Sequence, residues 1–202
     1  MIKAVIFDIG GVLSRFVRND NRSRWERRLG LPAGGLERAI YNSPVAVRGF
    51  IGQASDEEVW EDFRLRFNLT PAETVNVYLE LWMDAEWDME LFEYIRGLRP
   101  RYRTGVISDA LPGARHEARV KANVNYDLFD VILFSGEEGV LKPDAAIFDK
   151  ALAALGVERG EAVFVDDNIS KIEGANALGM HGVQFITREQ TLAEIDRLLA
   201  AP

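Results

Sequence analysis

The sequence has no cysteine, only two histidines, and a shortage of positive charge. It also lacks any apolar run near the roughly 18 to 20 residues that span a bilayer. Without cysteine there are no disulfides, no thiolate metal sites and no cysteine nucleophile. A reducing cytoplasm is the compartment that this composition suits. The opening stretch Met1–Asp8 is not expected to be a signal peptide, because its apolar run is short and Asp8 interrupts it. His116 and His181 lie far apart, and surface or packing roles are expected for both. The 24 Lys and Arg against 32 Asp and Glu leave a net charge of −8. That charge argues against nucleic acid as the main partner. It also repels anionic substrates, so a site handling phosphate would need a local cation such as a divalent metal. No internal repeat and no low-complexity segment is evident.

What is present is ordinary for a globular chain: 202 residues, 48% apolar and 28% charged. The length allows one α/β core, or such a core with a small inserted unit. Lys3–Phe7 is an apolar run that ends at Asp8 and is followed by Gly10-Gly11. This reads as a buried parallel strand meeting a tight turn. The pattern recurs where Thr104–Ile107 runs into Ser108-Asp109, Val131–Phe134 into Ser135-Gly136, and Ala162–Val165 into Asp166-Asp167. A last strand is expected over Val183–Ile186. Helical periodicity lies between, at Met89–Leu98, Ala114–Ala122, Asp144–Leu155 and Ile169–Leu178. Alternating strands and helices predict a three-layer α/β fold with an open parallel sheet.

The stretch from Ser14 to Ala85 breaks the alternation and reads as helical throughout. Ser55–Glu58 and Thr70–Glu73 are capping boxes, the second with Pro71 at the first helical position. The expected division is a core of 1–14 and 86–202, with a helical cap over 15–85. Ligands of open α/β sheets sit beyond the carboxyl ends of the strands. Asp8, Ser108, Asp166 and Asp167 should therefore converge on one crevice. An ionised Asp at a strand end can attack phosphorus and form an aspartyl-phosphate. Mg2+ prefers hard oxygen ligands, and Asp8 with one of Asp166 or Asp167 supplies the carboxylates. Lys142 and Ser108 would complete a clamp on the phosphoryl oxygens.

With these residues in view, the chain resembles the haloacid dehalogenase-like hydrolases over essentially its whole length. The likeness rests on four segments in order: Val5–Leu13 around Asp8, Val106–Asp109, Lys142-Pro143-Asp144, and Val163–Asn168 running into Glu173–Gly179. The resemblance implies that Asp8 is nucleophile and metal ligand, with the Gly10 carbonyl and Asp167 as further ligands. Asp166 would share that role or stand just behind it. Ser108 and Lys142 would bind phosphoryl oxygens, and 15–85 would be an inserted cap. It also implies Mg2+ as cofactor and a small phosphorylated metabolite as partner, in a monomer or homodimer. The similarity is to small bacterial members that act on sugar phosphates.

Two positions depart from the family pattern. Gly10 stands where a second Asp usually acts as general acid and base, a contribution of about 10²–10⁴-fold. Asp109 stands where Asn is common, which raises the expectation that Asp109, or a water on the metal, partly replaces that acid. Of the arginines crowding residues 15–28, most are expected on a solvated face with some salt bridges. Arg15 or Arg18 is a candidate for a second anionic group of the substrate. The aromatics Trp60, Phe63, Phe67, Tyr78, Trp82 and Trp87 are expected in the cap core, with one or two reaching the substrate. Two other readings stand beside the phosphatase: a metal-independent 2-haloacid dehalogenase, and a degenerate member that binds without turnover.

Overall fold

A computed structural model describes residues 1–16, 20–83, 85–114 and 126–201. Arg18, His116 and nearly all of the helix expected over Ala114–Ala122 lie outside the described residues. The strands in chain order are β1 (Ala4–Phe7), β2 (Ser14–Phe16), β3 (Ala85–Trp87), β4 (Arg103–Ser108), β5 (Val131–Phe134), β6 (Ala162–Asp166) and β7 (His181–Gln184). Five of them form one sheet in the order β5-β4-β1-β6-β7. Every pairing in it is parallel.

Side-chain alternation along each strand divides the core in two. Val5 and Phe7 of β1, with Val106, Val163 and Val165, join Leu91 and Ile95 of α6 (Met89–Leu98) and Ile195 of α10 (Arg188–Ala200) on one face. Ala4 and Ile6, with Ile107 and Phe164, meet Phe148 and Leu152 of α8 (Ala145–Leu155) and Ile172 of α9 (Ile169–Ala177) on the other, while the short α7 (Ser135–Glu138) follows β5 directly. The result is the three-layer parallel α/β fold that the alternation predicts. β1 is buried along its whole length, as a central parallel strand with both faces covered must be.

Between β2 and β3 lie α1 (Asp20–Arg28), α2 (Leu36–Tyr41), α3 (Pro44–Gly49), α4 (Asp56–Arg66) and α5 (Pro71–Met83). They gather their own apolar cluster, with Ile40, Val59, Phe63, Val77 and Leu81 almost fully buried. Leu111, from the loop after β4, joins that cluster. Both expected capping boxes form: Ser55 N–H donates to Glu58 Oε2 at 2.8 Å and Thr70 N–H to Glu73 Oε2 at 2.9 Å.

The structure corrects three expectations. The stretch from Ser14 is not helical throughout, because β2 and β3 pair as a two-stranded antiparallel ribbon at its base. Three-residue strands carry no periodicity, and their pairing partner lies about seventy residues away in sequence. β7 begins at His181, two residues before the expected start. Gly182 is drawn against α9, where its N–H donates to Asn176 Oδ1 at 2.7 Å and a Cβ would come within 2.8 Å of Ile172. The apolar run alone hides that start. The arginine face is not uniformly solvated either, since Arg22 is buried and paired with Glu37. The expected salt bridges do form at Arg24 and Arg28, which reach Glu80 and Glu73 on α5. Arg15 is exposed on the ribbon.

Candidate active site

The sheet order sets the site. β1 lies between β4 and β6, so Asp8, Ser108 and Asp166 emerge side by side at one edge. Phe7 is level with Val106 on one side and Val165 on the other. Asp8 N–H then donates to Val165 O at 2.9 Å, which carries β1 one bond beyond its last strand residue. The chain turns sharply after Asp8, with Ser14 N–H donating to Ile9 O at 2.8 Å. Gly11 takes φ +80° in this turn, and a Cβ there would lie 2.4 Å from Asp167 Oδ2. Glycine is therefore needed twice over, for the backbone angle and for the close approach to a carboxylate. At Gly10 a Cβ would meet nothing within 4 Å.

Lys142 is buried among oxygens. Its Nζ lies 2.8 Å from Asp8 Oδ1, 2.8 Å from Asp166 Oδ2 and 2.9 Å from Ile107 O. Those three acceptors match the three N–H groups of an ammonium. Asp166 is fully buried, and its other oxygen, Oδ1, accepts from Asn168 N–H at 2.9 Å. Asn168 also caps α9 by accepting from Ser170 N–H at 3.0 Å. Asp167, by contrast, is exposed. Burial pushes the Asp8 carboxyl up to about 6, helped by the charge of Asp166 and opposed by Lys142. Burial and the charge of Asp166 also raise Asp167. Carboxylate oxygens of Asp8, Asp166 and Asp167 all lie within 4.8 Å of one another. Three acids so close, two of them held above their ordinary range, form a donor set that a hard divalent cation fits.

Sequence reasoning missed Lys171. It sits in the first turn of α9, one helical turn past Asn168, and its Nζ lies 2.9 Å from Asp109 Oδ2 and 4.0 Å from Asp166 Oδ2. The other oxygen of Asp109 accepts from Lys142 N–H at 3.0 Å. Asp109 thus accepts from two donors, the Lys142 N–H and the Lys171 ammonium. The spacing from the acid pair was the available signal for Lys171, because a residue at the third position of a helix stays near the helix start.

A cavity of about 440 Å³ opens over these groups, and Asp8, Gly10, Ser108, Asp109, Asp167 and Lys171 are among the residues lining it. Trp60 and Trp87 reach it as two of the expected aromatics, while Phe63 stays in the core of the insert. Tyr41, Phe50 and Asp56 also line it and were not anticipated. Nothing in the local sequence marks them, since they arrive by the docking of the helical insert. His181 lies at the start of β7, bonded to Gly160 O at 3.1 Å, and is not among the lining residues.

Residues 2–179 match the haloacid dehalogenase-like hydrolase family. The chain belongs to that family. Among solved haloacid dehalogenase-like structures, it is similar to an enzyme of Bacteroides thetaiotaomicron in complex with magnesium and inorganic phosphate. The TM-score is 0.74 at 17% identity, covering 91% of this chain and 94% of that one. It is 23% identical to the sesquiterpene phosphatase astK of Aspergillus oryzae, over 98% of this chain and 96% of that protein. A glyceraldehyde 3-phosphate phosphatase of Pyrococcus abyssi is 40% identical over 85 residues, 42% of this chain and 35% of that protein. The matched part makes up only 19%, 37% and 35% of the length of three curated relatives, the last being that archaeal phosphatase. Among the described residues, no helix is long and apolar enough to cross a membrane.

Proposed function

We propose that this member of the family is a Mg2+-dependent phosphatase of small phosphomonoesters that works through an aspartyl-phosphate on Asp8. The observation that carries this reading is the grouping of Asp8, Asp166 and Asp167 carboxylate oxygens within 4.8 Å of one another, with Asp8 and Asp167 lining one cavity and Lys142 bonded to Asp8 and Asp166. Two phosphatase-named relatives and a magnesium and phosphate complex of a similar fold support it. Asp8, Asp167 and the Gly10 carbonyl would hold the cation. Asp166 would stand behind them, because both its oxygens already accept hydrogen bonds. When bound, Mg2+ supplies positive charge opposite the phosphoryl oxygens and keeps Asp8 ionised.

In this reading Lys142 fixes Asp8 for attack. All three of its N–H groups are committed, so it offsets charge more than it grips substrate. Lys171, on the cavity wall and held by Asp109, is the cation placed to meet a phosphoryl oxygen. The Ser108 hydroxyl donates to another. Asp8 Oδ attacks phosphorus, the P–O ester bond breaks, and the leaving oxygen takes its proton from solvent water to depart as the alcohol. Water then hydrolyses the aspartyl-phosphate, regenerating Asp8 and releasing phosphate. Residues 15–85 would act as a cap over the cavity, contributing Tyr41, Phe50, Asp56 and Trp60 to its wall. Gly10 leaves the leaving oxygen without the usual carboxyl donor, so slow turnover of esters with poor leaving groups is expected.

The test is phosphate release from aryl, sugar and alkyl phosphates, with Mg2+ and with chelator, for wild type and Asp8→Asn. Metal-dependent release lost in Asp8→Asn supports the reading. Release that survives Asp8→Asn, or that is indifferent to chelation, overturns it.

A further inference from the structure

We infer that the substrate's organic group is apolar, an alkyl, prenyl or aryl alcohol and not a sugar; this rests on the phosphatase reading above. The lining is segregated by chemistry. The charged and hydroxyl groups that face phosphate, Asp8, Ser108, Asp109, Asp167 and Lys171, come from the carboxyl ends of the sheet strands and the first turn of α9. The remainder of the wall is dominated, among the described residues, by Tyr41, Phe50, Trp60, Trp87, Leu111 and Phe134. A sugar presents several hydroxyls, and a site that selects one must give each a partner, since buried polar groups left unpaired cost more than the contacts return. Away from the sheet edge, the described wall offers one side-chain polar atom each from Ser14, Tyr41, Trp60 and Trp87 and the carboxylate of Asp56, too few to pair every hydroxyl of a sugar. The Oδ1 of Asp56 already accepts from Gly113 N–H at 2.9 Å.

The aromatic wall is also braced from behind. Trp60 meets Tyr78 edge-on at 5.2 Å and Phe63 edge-on at 5.8 Å. Tyr41 and Phe50 lean together at 6.1 Å, and Trp87 packs on Phe92 at 6.1 Å. Rings held in place lose little freedom when a ligand covers them, which favours binding by area. At about 440 Å³ the cavity falls toward the small end of the roughly 300–1,000 Å³ usual for ligand sites. That suits a short chain or a single ring beside the phosphoryl group.

Ethyl, butyl and hexyl phosphate test the inference, because their leaving alcohols are of similar acidity and differ in apolar length. Binding to Asp8→Asn is measured by calorimetry, and turnover by wild type as kcat/KM, with glucose 1-phosphate as the hydrophilic comparison. Affinity and kcat/KM are expected to rise in parallel, by roughly fourfold per methylene fully buried. Phe50→Ala and Trp60→Ala should flatten that dependence, though the wild-type series stands without them if either variant folds poorly. Affinity indifferent to chain length, a preference for glucose 1-phosphate, or no binding of any ester by wild type or variant overturns the inference. Phosphate release with no gain along the series would do so while leaving the phosphatase reading intact. Binding that tightens with length and no release by wild type would overturn the phosphatase reading alone.

Discussion

Asp8→Asn should make the metal-free protein more stable at neutral pH while ending its chemistry. The Asp8 carboxyl is buried beside Asp166, and its folded value is pushed from 3.8 to about 6 even with Lys142 at 2.8 Å. Between those two values the folded protein keeps a proton that the unfolded chain has shed. Stability therefore falls as pH rises through the window from 3.8 to about 6, and the loss is complete above it. Each pH unit across the window is worth about 1.4 kcal/mol, so the total is about 3 kcal/mol. Asparagine cannot ionise and escapes this loss. Urea unfolding in chelator should find variant and wild type alike near pH 4, with the variant ahead by up to about 3 kcal/mol at pH 7.5. Saturating Mg2+ should narrow the gap by stabilising the wild type. A variant no more stable than wild type at pH 7.5 in chelator would refute the claim that burying the Asp8 charge costs the metal-free protein stability.

Four further outcomes follow from the same geometry. Lys171→Met should lower kcat/KM by about 10²–10³-fold, as removal of a donor to a developing charge does, and Lys171→Arg should recover part of it in the same steady-state assay. Asp109→Asn keeps an acceptor for Lys142 N–H but releases Lys171, so it should resemble Lys171→Met more than wild type when KM and kcat are compared. Gly11→Ala must strain φ +80° and press on Asp167, so the half-saturating Mg2+ concentration should rise and stability should drop by about 1–2 kcal/mol, read by metal titration and urea unfolding. Gly10→Asp meets no obstruction at Cβ. It should fold normally and raise kcat on alkyl phosphates by tenfold or more, with little change on aryl phosphates, whose oxygen leaves without a proton.

The sheet and its strand-end acids were legible because burial on both faces writes a continuous apolar run, and the run stops where chemistry begins. Asp8, Ser108 and Asp166 all stand at such stops. The β2–β3 ribbon was not legible, because its partners are remote and three residues long. Lys171 lay one helical turn beyond Asn168, a relation visible only once the helix start is fixed. Tyr41, Phe50 and Asp56 reach the cavity through the way five helices dock, and no local pattern encodes a docking angle. Lys142 was found from its neighbours in sequence, but its saturation by Asp8, Asp166 and Ile107 O is a fact of three dimensions.

The place of β1 in the middle of its sheet has a consequence for how such a protein changes over generations. A strand paired along both edges and covered on both faces is among the last parts to open, and its amide hydrogens should be among the slowest to exchange. The nucleophile is mounted on the least yielding part of the molecule. Of the walls that would face the rest of the substrate, the part bearing Tyr41, Phe50 and Trp60 is carried by a unit that enters and leaves through one short ribbon. Selection can redraw those walls, or a designer replace them, without disturbing the reacting carboxylate. The division of labour that makes the site rigid also makes its specificity exchangeable.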